Sequence, residues 1–403
     1  MKRYKYLFFV FFLIFSFHGR ILAENYTLTI PTPKYEILTE SDLHVIEMQD
    51  YGSNGEPGAP QLPARTYLIA LPPAAEVTGV QIIGLNQKEL PKSYHIKPNA
   101  LTITGNEDSR ELFQESLQKS QQEFNSNYNT IYSSDALYPE QIGVYAGQGQ
   151  WRRYTYARIR IYPFQYQPLS GKLIHYKSFS ISIDYELPTE DSQGLRKIQH
   201  LLTDDVLDDI ISQHIINFDE ARQWYPETNE GIQLSKIYDY VIIVEDDNIK
   251  QAVDKLKTWK EKLGHGVKVV TLDTVYANYN GRDDAEKIWD FLRKKYSNED
   301  WGIRYVLLAG NVDRIPTRFL FSSDKGWAYA TDYYYAKLTV NWDVDNDNRW
   351  GEFSDDNFDA APDVIVGRIP FNDQATIERI CDNIIAFEKD FGNWKQTALM
   401  AMG

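Results

Sequence analysis

The chain has 403 residues, 43% of them hydrophobic and 25% charged, with a formal net charge of -15. That acidity argues against nucleic acid and anionic membranes as partners and suits divalent cations. One cysteine, Cys381, excludes an intramolecular disulfide, so stability must come from core burial or metal.

The N-terminus reads as a secretory signal peptide. Lys2, Arg3 and Lys5 precede an apolar core from Leu7 to Phe17, and Ile21-Leu22-Ala23 offers a small residue before Glu24. A retained anchor is the rival reading, but the core is too short for the ~20 residues a spanning helix needs. Removal through Ala23 takes away Lys2, Arg3, Lys5 and Arg20, four positive charges, and moves the net charge from -15 to -19. The length left, about 380 residues, allows two or three domains.

From Tyr26 to about Leu187 the pattern predicts strands. Tyr26–Ile30 alternates, Thr66–Leu71 runs into Pro72-Pro73, and Val77–Ile83 is short. Tyr154–Tyr162 alternates strictly, and Ile174–Tyr185 follows a Ser170-Gly171 turn. Short alternating strands with Gly/Pro punctuation indicate an antiparallel sandwich. The polar stretch from Asn106 to Asn129 reads as a loop or a solvated helix. Asp204 to Phe218 then takes helical period, with His214 as a core-edge histidine in its stripe. Tyr225–Gly231 reads as an exposed linker.

Beyond the linker, strands and helices alternate. Strands are expected at Tyr240–Val244, Val267–Thr271, Tyr305–Ala309 and Val364–Val366. Helices are expected after Asp247 or Asn248, after Asp283 or Asp284, and after Asn372-Asp373. Continuous apolar strands alternating with helices mean a mainly parallel sheet covered on both faces. The final run, Thr397–Gly403, reads as the opening of a further buried strand, so the chain is expected to be the front portion of a longer protein.

Two residues invite a catalytic reading and are set aside. Cys381 lies on the apolar stripe of a helix, where a thiol behaves as a small hydrophobe. His265, between Gly264 and Gly266, closes a helix and leads straight into a strand, so it reads as an exposed turn histidine. The Gly310–Asp313 turn follows a parallel strand at the end of the sheet suited to a site, without a phosphate-binding glycine pattern.

The strongest constellation is acidic. Trp342–Glu352 places Asp343, Asp345 and Asp347 at alternate positions and Glu352 after them. Such side chains in a tight loop point at one hard cation, and calcium takes six to eight oxygens from such loops. Asn348 holds the sharp-turn position normally given to glycine, and asparagine tolerates that conformation. Glu352 comes two residues earlier than in an EF-hand. Asp355, Asp356, Asp359 and Asp363 follow closely and offer further ligands. The alternative is a solvated acidic loop. No Cys/His cluster supports zinc.

In order, these segments resemble the gingipain-type cysteine peptidases. The carriers are Tyr305–Gly310 with Ile315-Pro316, Thr331-Asp332 before three tyrosines, the acidic loop, Asp363–Pro370 with Gly367-Arg368, and Ala386-Phe387-Glu388 before Trp394. The first half resembles the gingipain propeptide through Gly58–Pro63 and Arg158–Pro163. The resemblance implies a β-sandwich-like prodomain followed by an incomplete, caspase-like α/β domain with a mainly parallel sheet. The boundaries are 1–23 for the signal peptide, 24–200 for the propeptide domain, 201–235 for a helical linker and 236–403 for the N-terminal part of the peptidase domain. It also implies an exported zymogen, a structural calcium with Asn311, Asp359 and Asp363 as approximate ligand counterparts, and protein or peptide substrates. The prodomain is the expected intramolecular inhibitor, cut free at 225–231 or at Arg196-Lys197. The catalytic cysteine and histidine are expected beyond residue 403. A non-enzymatic exported calcium-binding or interaction protein on the same scaffold is the competing reading.

Overall fold

A computed structural model describes residues 23–53, 56–101, 110–189, 205–225, 238–296, 301–321, 328–352 and 361–396. The segment read as a signal peptide, the Arg196-Lys197 pair, the expected linker beyond Tyr225 and the strand expected from Thr397 lie outside these residues, as do Asp355, Asp356 and Asp359.

Two antiparallel four-stranded sheets build the first half. One centres on β10 (Lys172–Glu186), which pairs β1 (Ala23–Pro31) on one side and β6 (Glu76–Glu89) on the other, while β9 (Phe164–Gln167) pairs its start. The other runs β4 (Gly52–Ser53), β5 (Pro63–Leu71), β8 (Tyr154–Ile161), β7 (Gly143–Trp151). Along β10, Phe179, Ile181, Ile183 and Tyr185 are buried, while Ser180, Ser182 and Asp184 between them face outward. They meet Ile69 and Leu71 of β5 and Ile159 and Ile161 of β8 in one core. A hairpin, β2 (Tyr35–Glu40) and β3 (Leu43–Met48), packs beside it.

The polar stretch after residue 106 is a helix where it is described, α1 (Arg110–Tyr132). It lies on the first half through stacked Phe124, Tyr128 and Tyr132. Gly58 is required there: its φ is +81°, and a Cβ would sit 2.2 Å from the Phe124 carbonyl oxygen.

The helical stretch after Asp204 is broken in two, α2 (Asp205–Ser212) and α3 (Phe218–Ala221). Ile211, Ile215, Phe218 and Tyr225 cover the second face of β8 at Tyr154 and Tyr156. His214 is exposed, with its ring edge against Trp151 and its Nδ1 2.8 Å from the Ile210 carbonyl. The break occurs where Asn217 turns its amide onto both polar groups of Ala70, accepting at 2.7 Å and donating at 3.0 Å. This segment is therefore fastened to the first half.

The second half has a parallel sheet in the order β12 (Val267–Thr271), β11 (Tyr240–Val244), β13 (Tyr305–Ala309), β16 (Ile365–Ile369). Both faces are covered, as continuous apolar strands require. One face packs on α4 (Asp247–Ala252), α5 (Asp254–Lys262) and α9 (Gln374–Lys389). The other packs on α6 (Leu272–Asn278), α7 (Asp284–Lys295) and α8 (Tyr333–Ala336). A hairpin, β14 (Arg318–Phe321) and β15 (Ala328–Thr331), lies to the side. Asp246, Asp283 and Asp373 cap α4, α7 and α9 by accepting from backbone amides. Leu263, just past the end of α5 at Lys262, is 51% exposed. Among the described residues no helix is long and apolar enough to cross a membrane.

Candidate functional site

The carboxyl edge of the parallel sheet is built by the turn after β13 and by Arg368 of β16. Asn311 donates its amide to Asn372 Oδ1 at 2.9 Å and accepts from the Asp313 amide at 3.0 Å. Arg368 donates twice to Asp332, each at 2.7 Å, and Nη1 donates at 2.8 Å to both the Gly310 and the Ile315 carbonyls. One guanidinium thus fixes the turn that carries Asn311. Val312 and Phe371 on this rim are about half exposed.

The acidic loop lies elsewhere, over the start of α7. Carboxylate oxygens of Asp343, Asp345 and Asp347 come within 4.8 Å of one another. Asn346, Asn348 and Gly351 all take positive φ, at 63°, 68° and 75°, as the turn reading of Asn348 anticipated. The loop closes through Gly351 N–H to the Trp342 carbonyl at 2.7 Å. Asp343 is 1% exposed and accepts from the amides of Asp347 and Asn348 and from Arg282 Nη1. Burial opposes its ionisation, but Arg282 and these two amides outweigh it and hold the carboxyl below the usual carboxylate range. Arg282 is itself anchored on Glu286 and lies over the Trp350 ring. Asp345 and Asp347 remain exposed.

The expected ligand set does not converge. Asn311 follows the carboxyl end of β13, whereas Asp363 precedes β16 at the amino end of the sheet; the five-residue strands between them span roughly 16 Å. Asp363 is saturated by protein donors. Its Oδ2 accepts from the Leu338 and Thr339 amides at 2.7 and 3.0 Å and from the Thr339 hydroxyl at 3.0 Å. Its Oδ1 lies 3.4 Å from Lys337 Nζ, and both side chains are fully buried. It is a structural anion. Glu352 is buried on Arg349 at 3.0 Å and stands outside the three-carboxylate group. Asp359 lies outside the described residues.

Cys381 and His265 are where the sequence put them, and neither is poised for chemistry. Cys381 is fully buried on α9, and burial, then Asp382 and Glu378, push its thiol up to about 11. His265 is half-buried rather than exposed. Its Nδ1 is 2.8 Å from Asp239 Oδ2, whose other oxygen accepts from Gly266 N–H at 2.8 Å, and its ring packs beside the stacked pair Tyr240 and Tyr305. It stands at the amino edge of the sheet, where β12 begins.

Sequence reasoning missed Arg282, Lys337 and Arg152. Arg152 sits at the β7–β8 hairpin tip and reaches the second half of the molecule. The one available signal was a consecutive Arg152-Arg153 pair between two strand-like segments.

Residues 36–224 match the family model Propeptide_C25, and residues 233–403 match that of Peptidase family C25. The chain belongs to peptidase family C25, the gingipain-type family, and carries its propeptide ahead of the peptidase domain. Among solved structures it is similar to the "Complex of Porphyromonas gingivalis RgpB pro- and mature domains", at 15% identity, covering 49% of this chain and 92% of that one, with a TM-score of 0.33. It is also similar to the structure titled "Structural insight into zymogenic latency of gingipain K from Porphyromonas gingivalis", at 16% identity, 40% and 86% coverage, and a TM-score of 0.31. A third, "Structure of Protease", shares 21% identity, with 40% of this chain and 30% of that chain covered and a TM-score of 0.28. No curated protein matches.

Proposed function

We propose that the chain is the precursor of an exported cysteine endopeptidase, kept latent by its own prodomain and acting on proteins or peptides. The observation that carries this reading is the succession of a C25 propeptide and a C25 peptidase domain in one chain. The chemistry is thiolate attack on a peptide carbonyl, with a histidine exchanging the proton. Cys381 is unfit for it, since its thiol is buried and held protonated; the family resemblance assigns the nucleophile and its histidine to residues following Gly403. On this reading the parallel sheet is the front part of a caspase-like domain, the antiparallel half is its β-sandwich-like prodomain, and the N-terminal leader directs export.

A structural calcium belongs to the same proposal. Asp343, Asp345 and Asp347 would hold it, since hard oxygen donors at this spacing suit calcium. Arg282 already neutralises Asp343, so the arginine and the cation compete for that carboxylate. The ion would set the shape of the loop.

The test is to express the reading frame together with the codons that follow Gly403. Released material is then read by N-terminal sequencing, and a thiol-directed peptidase inhibitor is applied. A new N-terminus after residue 225 together with covalent labelling is expected. A prodomain never released and a chain never labelled would overturn the enzyme reading in favour of a non-enzymatic binding protein.

A further inference from the structure

The β7–β8 hairpin tip splits its two arginines between two neighbours. Arg153 turns to the linker helix α2, 3.2 Å from Asp208. Arg152 turns to the peptidase domain. It is 3% exposed, donates from Nη1 to the Asp363 carbonyl at 3.0 Å, and lies 5.3 Å over the Tyr296 ring. One residue pair earlier in the hairpin, the Gln150 carbonyl accepts from Lys337 Nζ. A buried ammonium needs oxygen partners on several sides, and here one of them belongs to the prodomain. Arg152 has a φ of 49°, the left-handed conformation that the first residue of a two-residue hairpin loop takes, and this turn sets where the tip points. Ala361, just before Asp363, joins the apolar cluster of Trp151, Tyr154 and Tyr156.

We propose that this tip, residues 150–153, is the anchor that holds the prodomain on the peptidase domain, and that Tyr296, Lys337 and Asp363 form its receptor. The receptor is at the amino edge of the parallel sheet, away from the carboxyl edge where open α/β sheets place their chemistry. Anchoring and inhibition are therefore separable: the anchor supplies adhesion, and whatever blocks the catalytic centre acts at another place. The linker helices stay with the prodomain when the chain is cut beyond Tyr225, because Tyr225 donates its hydroxyl to the Leu71 carbonyl and accepts from Thr155 N–H. Among the described residues, the hairpin tip then still grips the peptidase domain.

The proposal takes its biological use from the zymogen reading, but its test reads association alone. A sequence-specific cleavage site is placed within residues 226–237 of the 403-residue chain, the purified protein is cut, and dissociation of the two pieces is followed after dilution. The uncut contacts predict that the pieces co-elute on size exclusion. Arg152→Ala is expected to speed dissociation at least tenfold, and Arg152→Lys, which keeps charge without the planar fork, by less. Tyr296→Leu, which removes the ring from the receptor side, accelerates it as well and serves if the Arg152 variant does not fold. Arg65→Ala, at a prodomain arginine placed on Tyr51 and Tyr67, leaves the rate unchanged. Wild-type pieces that separate at once, or Arg152→Ala and Tyr296→Leu pieces that dissociate at the wild-type rate, would overturn the anchor. Loss of peptidase activity in the longer frame would sink the enzyme reading and leave this result standing.

Discussion

The two ends of the parallel sheet solve the same problem in opposite ways. At the amino edge, charges are buried outright. Lys337 and Asp363 are fully enclosed, Asp239 holds His265 and the Gly266 amide, and the prodomain hairpin closes over the pair. At the carboxyl edge the ion pair Arg368–Asp332 stays partly accessible, Val312 and Phe371 are half exposed, and the turn at Asn311 is held by hydrogen bonds from Arg368 and to Asn372. Low dielectric makes a satisfied buried network rigid and an unsatisfied one costly. The amino edge is therefore the end built for permanence, and the carboxyl edge is left free to present a turn.

Breaking the amino edge should have the largest effect. Asp363→Ala leaves Lys337 buried without its counter-charge and strips partners from three donors at Leu338 and Thr339. A loss of about 3–5 kcal/mol is expected from denaturant unfolding of the 403-residue chain. A loss under about 1 kcal/mol would mean the edge is hydrated and the contrast with the other end is false.

The matching change at the carboxyl edge is Arg368→Met. It frees the Gly310 and Ile315 carbonyls and Asp332, and should cost about 2–3 kcal/mol. Hydrogen exchange would localise the effect. Amides of residues 310–315 should lose protection while those of Leu338 and Thr339 keep theirs. Uniform loss at both edges would erase the distinction.

A smaller effect is expected in the prodomain. His175 is buried against the rings of Tyr35 and Phe164, and burial, then Lys177 and Lys88, lower its pKa to about 4. Its folded pKa lies below the ordinary unfolded value, so the unfolded chain binds the proton more readily. Stability is therefore fully present above about pH 6.5 and declines as pH falls toward 4. His175→Gln should flatten this part of the stability profile, and an unchanged slope would remove the histidine as its source.

The smallest effect concerns the acidic loop. Arg282→Gln should cost about 1–2 kcal/mol, because Asp343 is fully buried and loses its counter-charge while keeping the amides of Asp347 and Asn348. It should, however, strengthen calcium binding by titration calorimetry, since Asp343 is released for the ion. Equal affinity in both proteins would show that calcium and arginine do not share a carboxylate. No heat in either would end the calcium proposal.

Much of the architecture was legible in the chain. Val241 and Ile243 face one core and Ile242 and Val244 the other, and an unbroken apolar strand by its composition alone announces that double cover. The alternation of β10 and the helix caps at Asp283 and Asp373 were equally plain. The strands β7, β9, β14 and β15, the hairpin of β2 and β3 and the short helix α6 were not, because their sequences carry weak periodicity and they are held by non-local pairing. The candidate site divided along the same line. Spacing alone brought Asp343, Asp345 and Asp347 together, since neighbours in a tight loop have few alternatives. Asn311 and Asp363, which the family resemblance offered as ligand counterparts, lie at opposite ends of the sheet, and which end a residue reaches is decided by the strands between them.

The sequence by itself determined the local periods, the caps, the turn asparagines and the unsuitability of the lone cysteine, all set by chemistry within a few residues. Only the tertiary structure decided which charges are buried and who neutralises them. Lys337 meets Asp363 from 26 residues away, Arg282 meets Asp343 across 61, and Arg152 reaches the Asp363 carbonyl across 211. Each arginine or lysine would look like a solvated surface cation in the chain. Their meaning comes from desolvation, and desolvation is a property of the packed molecule.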